Sequence, residues 1–178
     1  MVNKIKMLKK CSGNCECQGY ANSMSNPVTK VLAHICSNCC LCKSSFKFQI
    51  RDNTFEANSF YASNCYMIGT NLFLNSWGFG KAKLMDKVHY GVFSLNLIKQ
   101  PGNQNLIDFN FLGSSAPNNL ASIVGRVLVP DTELVIKSCN GCAYSVDNTK
   151  IDLIDVNKEN EYKSIIVYPD GTREEFFN

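Results

Sequence analysis

The chain has 178 residues, a formal net charge of +3 and charged side chains at only 19% of its positions. This length suits one domain with its own hydrophobic core, so the fold does not need disulfides as a very small secreted domain does. The low charge excludes a strongly basic or acidic binding protein. It also weakens repulsion between copies of the chain and so favours self-association.

The N-terminal ten residues carry four lysines among short apolar side chains, without the long apolar core of a secretory signal. Nowhere does an apolar run reach the length of a membrane-spanning helix. We therefore expect synthesis in the cytoplasm without a signal peptide, and no membrane span. Nucleic acid is not expected as a partner, because no basic and aromatic stripe in the rest of the chain matches these lysines.

The first 45 residues show little periodicity and are predicted to form an extended, cysteine-rich arm in which Val28–Ile35 is a short helix or strand. From residue 46 to residue 178, alternating apolar and polar side chains rich in β-branched and aromatic types predict an all-β body. Short strands between regular turns indicate a β-sandwich or jelly-roll-like fold. The predicted strands are Phe46–Ile50, Thr54–Tyr61, Tyr66–Leu74, Val88–Leu97, Leu106–Leu112, Ile123–Val129, Glu133–Lys137, Lys150–Val156, Ser164–Tyr168 and Thr172–Phe177.

Glycine and proline mark the predicted connections between these strands. Gly78–Gly80 is expected to separate two of them. Pro169–Gly171 is expected to form a hairpin turn, because proline presets the first turn position and glycine tolerates positive φ.

Cysteine is the most informative residue type, because seven of the ten cysteines precede residue 43. Packing gives no reason to concentrate them in a polar stretch rich in Gly, Asn and Ser. The pattern instead indicates a linkage, through either metal or disulfides. The candidates for disulfides between subunits are Cys11, Cys15, Cys17, Cys36, Cys39, Cys40, Cys42, Cys65, Cys139 and Cys142.

Two Cys-x-x-Cys pairs support the metal alternative. Cys36 with Cys39, and Cys139 with Cys142, would together complete a tetrahedral four-cysteine zinc site. The pairs are far apart in sequence, so the fold would have to bring them together. Adjacent cysteines such as Cys39 and Cys40 rarely both bind one zinc ion, which favours disulfides to different partners.

Cys39-Cys40 on the arm, the β-rich body after it, and Cys139 with Tyr144 five positions further on resemble the pattern of bacterial endospore appendage subunits. This resemblance implies a jelly roll preceded by an N-terminal connector, whose double cysteine forms disulfides with subunits further along a fibre. The arm here is longer than that connector and contains more cysteines.

A second arrangement combines Cys15-x-Cys17, the cluster from Cys36 to Cys42, and Cys139-x-x-Cys142. It resembles the glutathione-dependent formaldehyde-activating enzymes, which implies a β-fold with a structural and a catalytic zinc. The order of cysteines in the middle cluster departs from the pattern of that family.

No catalytic set stands out in the sequence. The chain has two histidines, His34 and His89; His89 lies in an alternating run and is expected to face solvent. Trp77 is expected in the core or at an interface.

These patterns predict a non-enzymatic structural subunit without a cofactor. It would assemble with itself into a fibre, coat or capsid through intersubunit disulfides of the arm, and end on a spore, cell or virion surface. The alternative is a cytoplasmic, zinc-stabilised β module that binds a partner or, as the second resemblance implies, acts as a zinc enzyme.

Overall fold

A computed structural model describes residues 17–24, 26–36, 41–102, 104–138 and 163–177. In these residues the fold is all-β, as the sequence predicts: eleven strands form one antiparallel sheet, and Leu41–Lys43 forms a single 3-10 turn. The strands are β1 Cys17–Ser23, β2 Thr29–Cys36, β3 Ser45–Ile50, β4 Asn53–Ile68, β5 Asn71–Leu84, β6 Lys87–Lys99, β7 Asn105–Ser114, β8 Leu120–Val129, β9 Leu134–Ser138, β10 Lys163–Val167 and β11 Arg173–Phe177. No helix in the described part of the chain is long and apolar enough to cross a membrane.

The strand order across the sheet is β11-β10-β8-β7-β6-β5-β4-β3-β2-β1-β9. Strands β1 to β8 follow one another as a meander, each pairing with the next in sequence. The strand β9 then pairs with β1 at the far end of the sheet, although only residues 130–133 separate it from β8. So short a connection requires β9, at one end of the sheet, to lie close to β8, the third strand from the other end.

The sheet is therefore curled into a half-barrel, and its concave face encloses the core. Phe46 on β3 and Phe109 on β7 lie four strands apart in the sheet, yet their ring centroids are 4.9 Å apart. Phe55 on β4 lies 4.7 Å from Phe109 and 5.2 Å from Phe111. Each fully buried ring of this kind stabilises the fold by roughly 1.5–3 kcal/mol.

Alternating side chains decide which face of each strand is buried. Along β8, every second residue from Ala121 to Val129 is buried, and the residues between them are partly exposed. This period of two follows from strand geometry and is the pattern on which the all-β prediction depends.

Several details differ from the sequence predictions. Residues 17–36, placed in the arm, form β1 and β2 of the same sheet as the predicted body. The segment Gly78–Gly80 is not a break but lies inside β5, and the predicted strand Tyr66–Leu74 is interrupted by a turn at Gly69, whose φ is +58°. The predicted strand Lys150–Val156 lies outside the described residues.

The hairpin predicted at Pro169–Gly171 is confirmed. Gly171 has a φ of +86°, and its N–H donates to the carbonyl of Tyr168 at 2.9 Å. The Tyr168 N–H in turn donates to the carbonyl of Thr172 at 2.8 Å. Only glycine adopts such a positive φ without cost. The turn connects β10 to β11, the two strands at one end of the sheet.

Candidate functional site

A disulfide joins Cys17 on β1 to Cys65 on β4. Two strands lie between them in the sheet, and the bond spans a Cα–Cα distance of 6.2 Å across the core. Both cysteines are buried. Sequence analysis placed both among the candidates for links between subunits, whereas the structure pairs them within one chain.

Cys36 lies at the end of β2 and is buried. Its sulfur is 3.5 Å from Nε2 of His34, and its backbone N–H donates to the hydroxyl of Ser44 at 2.9 Å. The ring of Tyr20 stacks on His34 with centroids 4.6 Å apart. The fold thus fixes the imidazole beside the sulfur, at the point where β2 leads into the cysteine cluster.

Most of the other cysteine candidates lie outside the described residues. These are Cys11, Cys15, Cys39, Cys40, Cys139 and Cys142; of Cys42, the structure describes the backbone within the 3-10 turn. Three of the four ligands of the zinc alternative are therefore among residues that the structure does not describe. Within the described ranges, no three His, Cys, Asp or Glu side chains come together as a metal site.

The sheet ends in two strands that have a partner on one side only. Among the described residues, β9 pairs with β1 alone and β11 pairs with β10 alone. A strand with one free side presents backbone N–H and C=O groups to any extended segment that approaches it. Both edges are therefore places where another strand can be added.

The two edges differ in charge. The strand β11 carries Arg173, Glu174 and Glu175, and Glu175 forms ion pairs with Lys163 at 2.8 Å and with Arg173 at 2.6 Å. The hydrogen bond from Lys163 lowers the pKa of Glu175 below its usual value. Charged side chains protect an edge against further pairing, whereas the sequence of β9, LVIKS, contains one charge. We therefore expect an added strand to pair more readily with β9 than with β11.

A small cavity of about 320 Å³ lies between the β5–β6 turn and the β10–β11 turn. Its lining includes His89, which is only 1% exposed and has no hydrogen-bond partner at either ring nitrogen among the described residues. The prediction that His89 faces solvent is wrong, because its position on β6 points into the core. Burial lowers the pKa of His89 and keeps its imidazole neutral.

Asn53 forms hydrogen bonds to two residues that line this cavity. Its side-chain carbonyl accepts from the N–H of Met85 at 3.0 Å, and its amide donates to the hydroxyl of Tyr168 at 3.4 Å. Burial, followed by the charge of Glu174, raises the pKa of Tyr168. Asn53 and Tyr168 thus join the β5–β6 turn to the β10–β11 turn.

Sequence reasoning missed the apolar side chains on the outer face of the sheet. Trp77 was expected in the core or at an interface. Its side chain is 41% exposed, so it is not a core residue, and its place at an interface stays a prediction. The signal was present, since Tyr90, Val92 and Leu112 are apolar at positions that alternate with buried ones.

The comparisons with known proteins give no further assignment. No family model, no curated protein and no solved structure matches this chain.

Proposed function

We propose that this chain is a non-enzymatic structural subunit that assembles with itself into a fibre, coat or capsid. Its N-terminal cysteines form disulfides with neighbouring subunits. The observation that carries the proposal is the edge of β9, which pairs with β1 alone among the described residues. The candidate receiver Cys139 follows the last residue of that strand directly in the sequence. The segment ahead of β1 carries Cys11 and Cys15, so by pairing with β9 of a neighbour it would bring them to Cys139. Cys39 and Cys40 lie between β2 and β3 and would form the further links to other subunits.

The disulfide between Cys17 and Cys65 supports the proposal that the remaining cysteines are oxidised too. A chain that forms one disulfide is in surroundings where its other thiols can also oxidise. Assembly after release from the cytoplasm, on a spore, cell or virion surface, provides such surroundings. The remaining candidates for links between subunits are Cys11, Cys15, Cys36, Cys39, Cys40, Cys42, Cys139 and Cys142.

The body of the proposed subunit is a β-sandwich in which the two halves of the curled sheet face each other. Contacts between distant strands favour this interpretation, since the backbone of Gly19 on β1 lies against Leu74 on β5 and Leu97 on β6. Two layers that face each other in this way make a rigid building block whose ends remain available for pairing.

The test is the intact mass of the native protein, measured with and without reductant, together with its zinc content. We expect covalent multimers that collapse to 19.9 kDa on reduction. Replacing Cys39 and Cys40 by serine should abolish these multimers, whereas the neighbouring control variant Ser37→Ala/Asn38→Ala should retain them. A serine variant that still forms a ladder without reductant contradicts the role of these two cysteines.

A second function is favoured by the contact between His34 and Cys36. An imidazole nitrogen 3.5 Å from a sulfur is also an arrangement in which both atoms can bind one zinc ion, with His34 in place of one of the four cysteines. In that case the chain is a zinc-stabilised β module that binds a partner, with Cys36, Cys39, Cys139 and Cys142 as candidate ligands. A monomeric mass with free thiols and one or two zinc ions per chain, and unfolding by a chelator, would establish this alternative.

A further inference from the structure

The outer face of β5 to β8 carries a group of exposed apolar side chains, which we call the outer patch. The register of the sheet sets Val92 on β6 directly opposite Leu112 on β7. Phe79 on β5 adjoins Val92, and Tyr90 and Leu120 each lie opposite Ser114. The outer patch consists of the half-buried Phe79 and the exposed Trp77, Tyr90, Val92, Leu112 and Leu120.

The exposure of this patch is unusual for a surface that meets only water. Tyr90, Val92, Leu112 and Leu120 are each more than half exposed, between 52% and 58%. Single exposed apolar side chains are common, but a contiguous group rimmed by polar residues marks a binding surface.

The two central rows of this face contain no charged residue. One row runs from Trp77 through Ser94, Asn110 and Val124 to Ile165, and the next from Phe79 through Val92, Leu112 and Ser122 to Val167. In a symmetric contact each side chain meets its own counterpart or a neighbour of it, so a charge would often oppose a like charge. A face without charges avoids that repulsion.

Most charges at the rim form ion pairs within the chain. On one side Asp108 pairs with Arg126 at 3.5 Å. On the other side Glu56 pairs with Lys47 at 3.3 Å and with Lys81 at 3.6 Å. These five residues leave a net charge of +1 at the rim, so a second copy would meet only weak repulsion there.

The size of the patch limits how strongly it can bind. From the spacing of strands and residues, the face spanned by these two rows covers about 330 Å². A stable dimer of ordinary size buries about 800 Å² per partner. The patch is too small to hold two free copies tightly, but it adds stability where copies are already held close together.

We propose that the outer patch is a homotypic contact, in which the outer patch of one copy packs against that of another. This inference rests on the proposed self-assembly and identifies a second contact in it, separate from the cysteines. The sheets meet face to face, with Val92 and Leu112 at the centre and Trp77 near the edge.

The chain provides a matched pair of variants for the test. Leu112→Glu places a charge in the outer patch, and Leu32→Glu places the same charge on the outer face of β2. The two leucines are similarly exposed, at 52% and 48%. Both changes are made in the Cys39→Ser/Cys40→Ser protein, alkylated without reduction so that the disulfide between Cys17 and Cys65 is retained.

Association is measured by sedimentation velocity over a concentration series and by the emission of Trp77, the sole tryptophan of the chain. We expect weak association with a shift of Trp77 emission to shorter wavelength. Leu112→Glu should raise the dissociation constant roughly tenfold or more, and Leu32→Glu should leave it unchanged. A protein that stays monomeric at every concentration, or equal association of both variants, overturns the homotypic contact. Because this assay excludes cross-linking through Cys39 and Cys40, its outcome is independent of the disulfide ladder that tests the proposed function.

Discussion

Gly125 on β8 lies directly against the ring of Phe48 on β3, so closely that a methyl group on its Cα would overlap the ring. Phe48 is 2% exposed, and its ring lies 4.9 Å from that of Phe109, so it has little room to move aside. The curl of the sheet depends on this close approach of two strands that are five places apart in the strand order.

We predict that Gly125→Ala lowers the free energy of unfolding by about 1–3 kcal/mol, because the added methyl group overpacks the core. Urea denaturation followed by circular dichroism measures the loss. Ser122→Ala, on the outer side of the same strand, is the control and should leave the stability almost unchanged. Equal stability of the two variants would mean that β3 and β8 can separate without cost.

The disulfide between Cys17 and Cys65 should contribute a large share of the stability. It closes a loop with a sequence separation of 48, and restricting the unfolded chain in this way stabilises the fold by about 4 kcal/mol in the chain-entropy model. We expect Cys17→Ala/Cys65→Ala to unfold at a clearly lower urea concentration than the native chain. Added reductant should lower the urea midpoint of the native chain and change that of the variant much less. If both midpoints drop equally, the reductant acts through other disulfides.

Stability should also fall as the solution is acidified towards pH 5. His89 is buried as a neutral imidazole, and burial lowers its pKa below the usual 6.5. The unfolded chain then binds a proton that the folded chain does not, so stability is full above about pH 6.5 and declines as the pH falls towards the folded pKa. Urea midpoints at pH 7.5 and pH 5.5 measure this decline.

The variant that tests this assignment is His89→Leu, which removes the titrating group and two buried ring nitrogens that lack a well-formed hydrogen bond among the described residues. It should be at least as stable as the native chain at pH 7.5 and lose less stability at pH 5.5. If the variant shows the same pH dependence as the native chain, other groups cause the loss of stability in acid.

A polar ladder crosses the outer face from β5 to β8. Asn75 donates to Asn96 at 2.6 Å, Asn96 contacts Asp108 at 3.5 Å, and Arg126 lies 3.5 Å from the same carboxylate. Since the side chain of Asp108 is only 15% exposed, Arg126→Leu should cost about 1 kcal/mol by leaving a partly buried charge without its cation. Adding Asp108→Asn should recover most of that loss in urea unfolding; no recovery would show that Arg126 acts through packing alone.

The sequence was sufficient to predict the all-β class, most strands of the body and the hairpin at Pro169–Gly171. These features depend on local signals, namely alternation along a strand and the φ preferences of proline and glycine. The turn at Gly171 needs no distant partner, so its residues alone predict it.

The missed features depend on contacts between distant residues. The inward positions of β1 are small, Cys17, Gly19 and Ala21, because the side chains of Leu74 and Leu97 fill the space beside Gly19. Such a strand lacks the large apolar residues that usually reveal one. Gly78 and Gly80 lie within β5 for a similar reason, since the backbone of Ser59 and the ring of Phe55 leave no room for a side chain.

The candidate site was predictable only in part. Cysteine counting showed that linkage matters, but the partner of Cys17 depends on the curl that brings β1 over β4. The outer patch was not predicted, because an apolar residue in a strand is assigned to the core until the sheet shows which face it occupies.

The bond from Cys17 to Cys65 also determines how the chain carries mechanical load. A pull on the segment ahead of Cys17 passes through a covalent bond directly into β4, the longest strand of the described sheet. The intervening strands β2 and β3 lie within the closed loop and bear none of that tension, so they cannot be peeled away one hydrogen bond at a time. A subunit tethered by its N-terminal residues would resist stretching as a block and not unravel from its end.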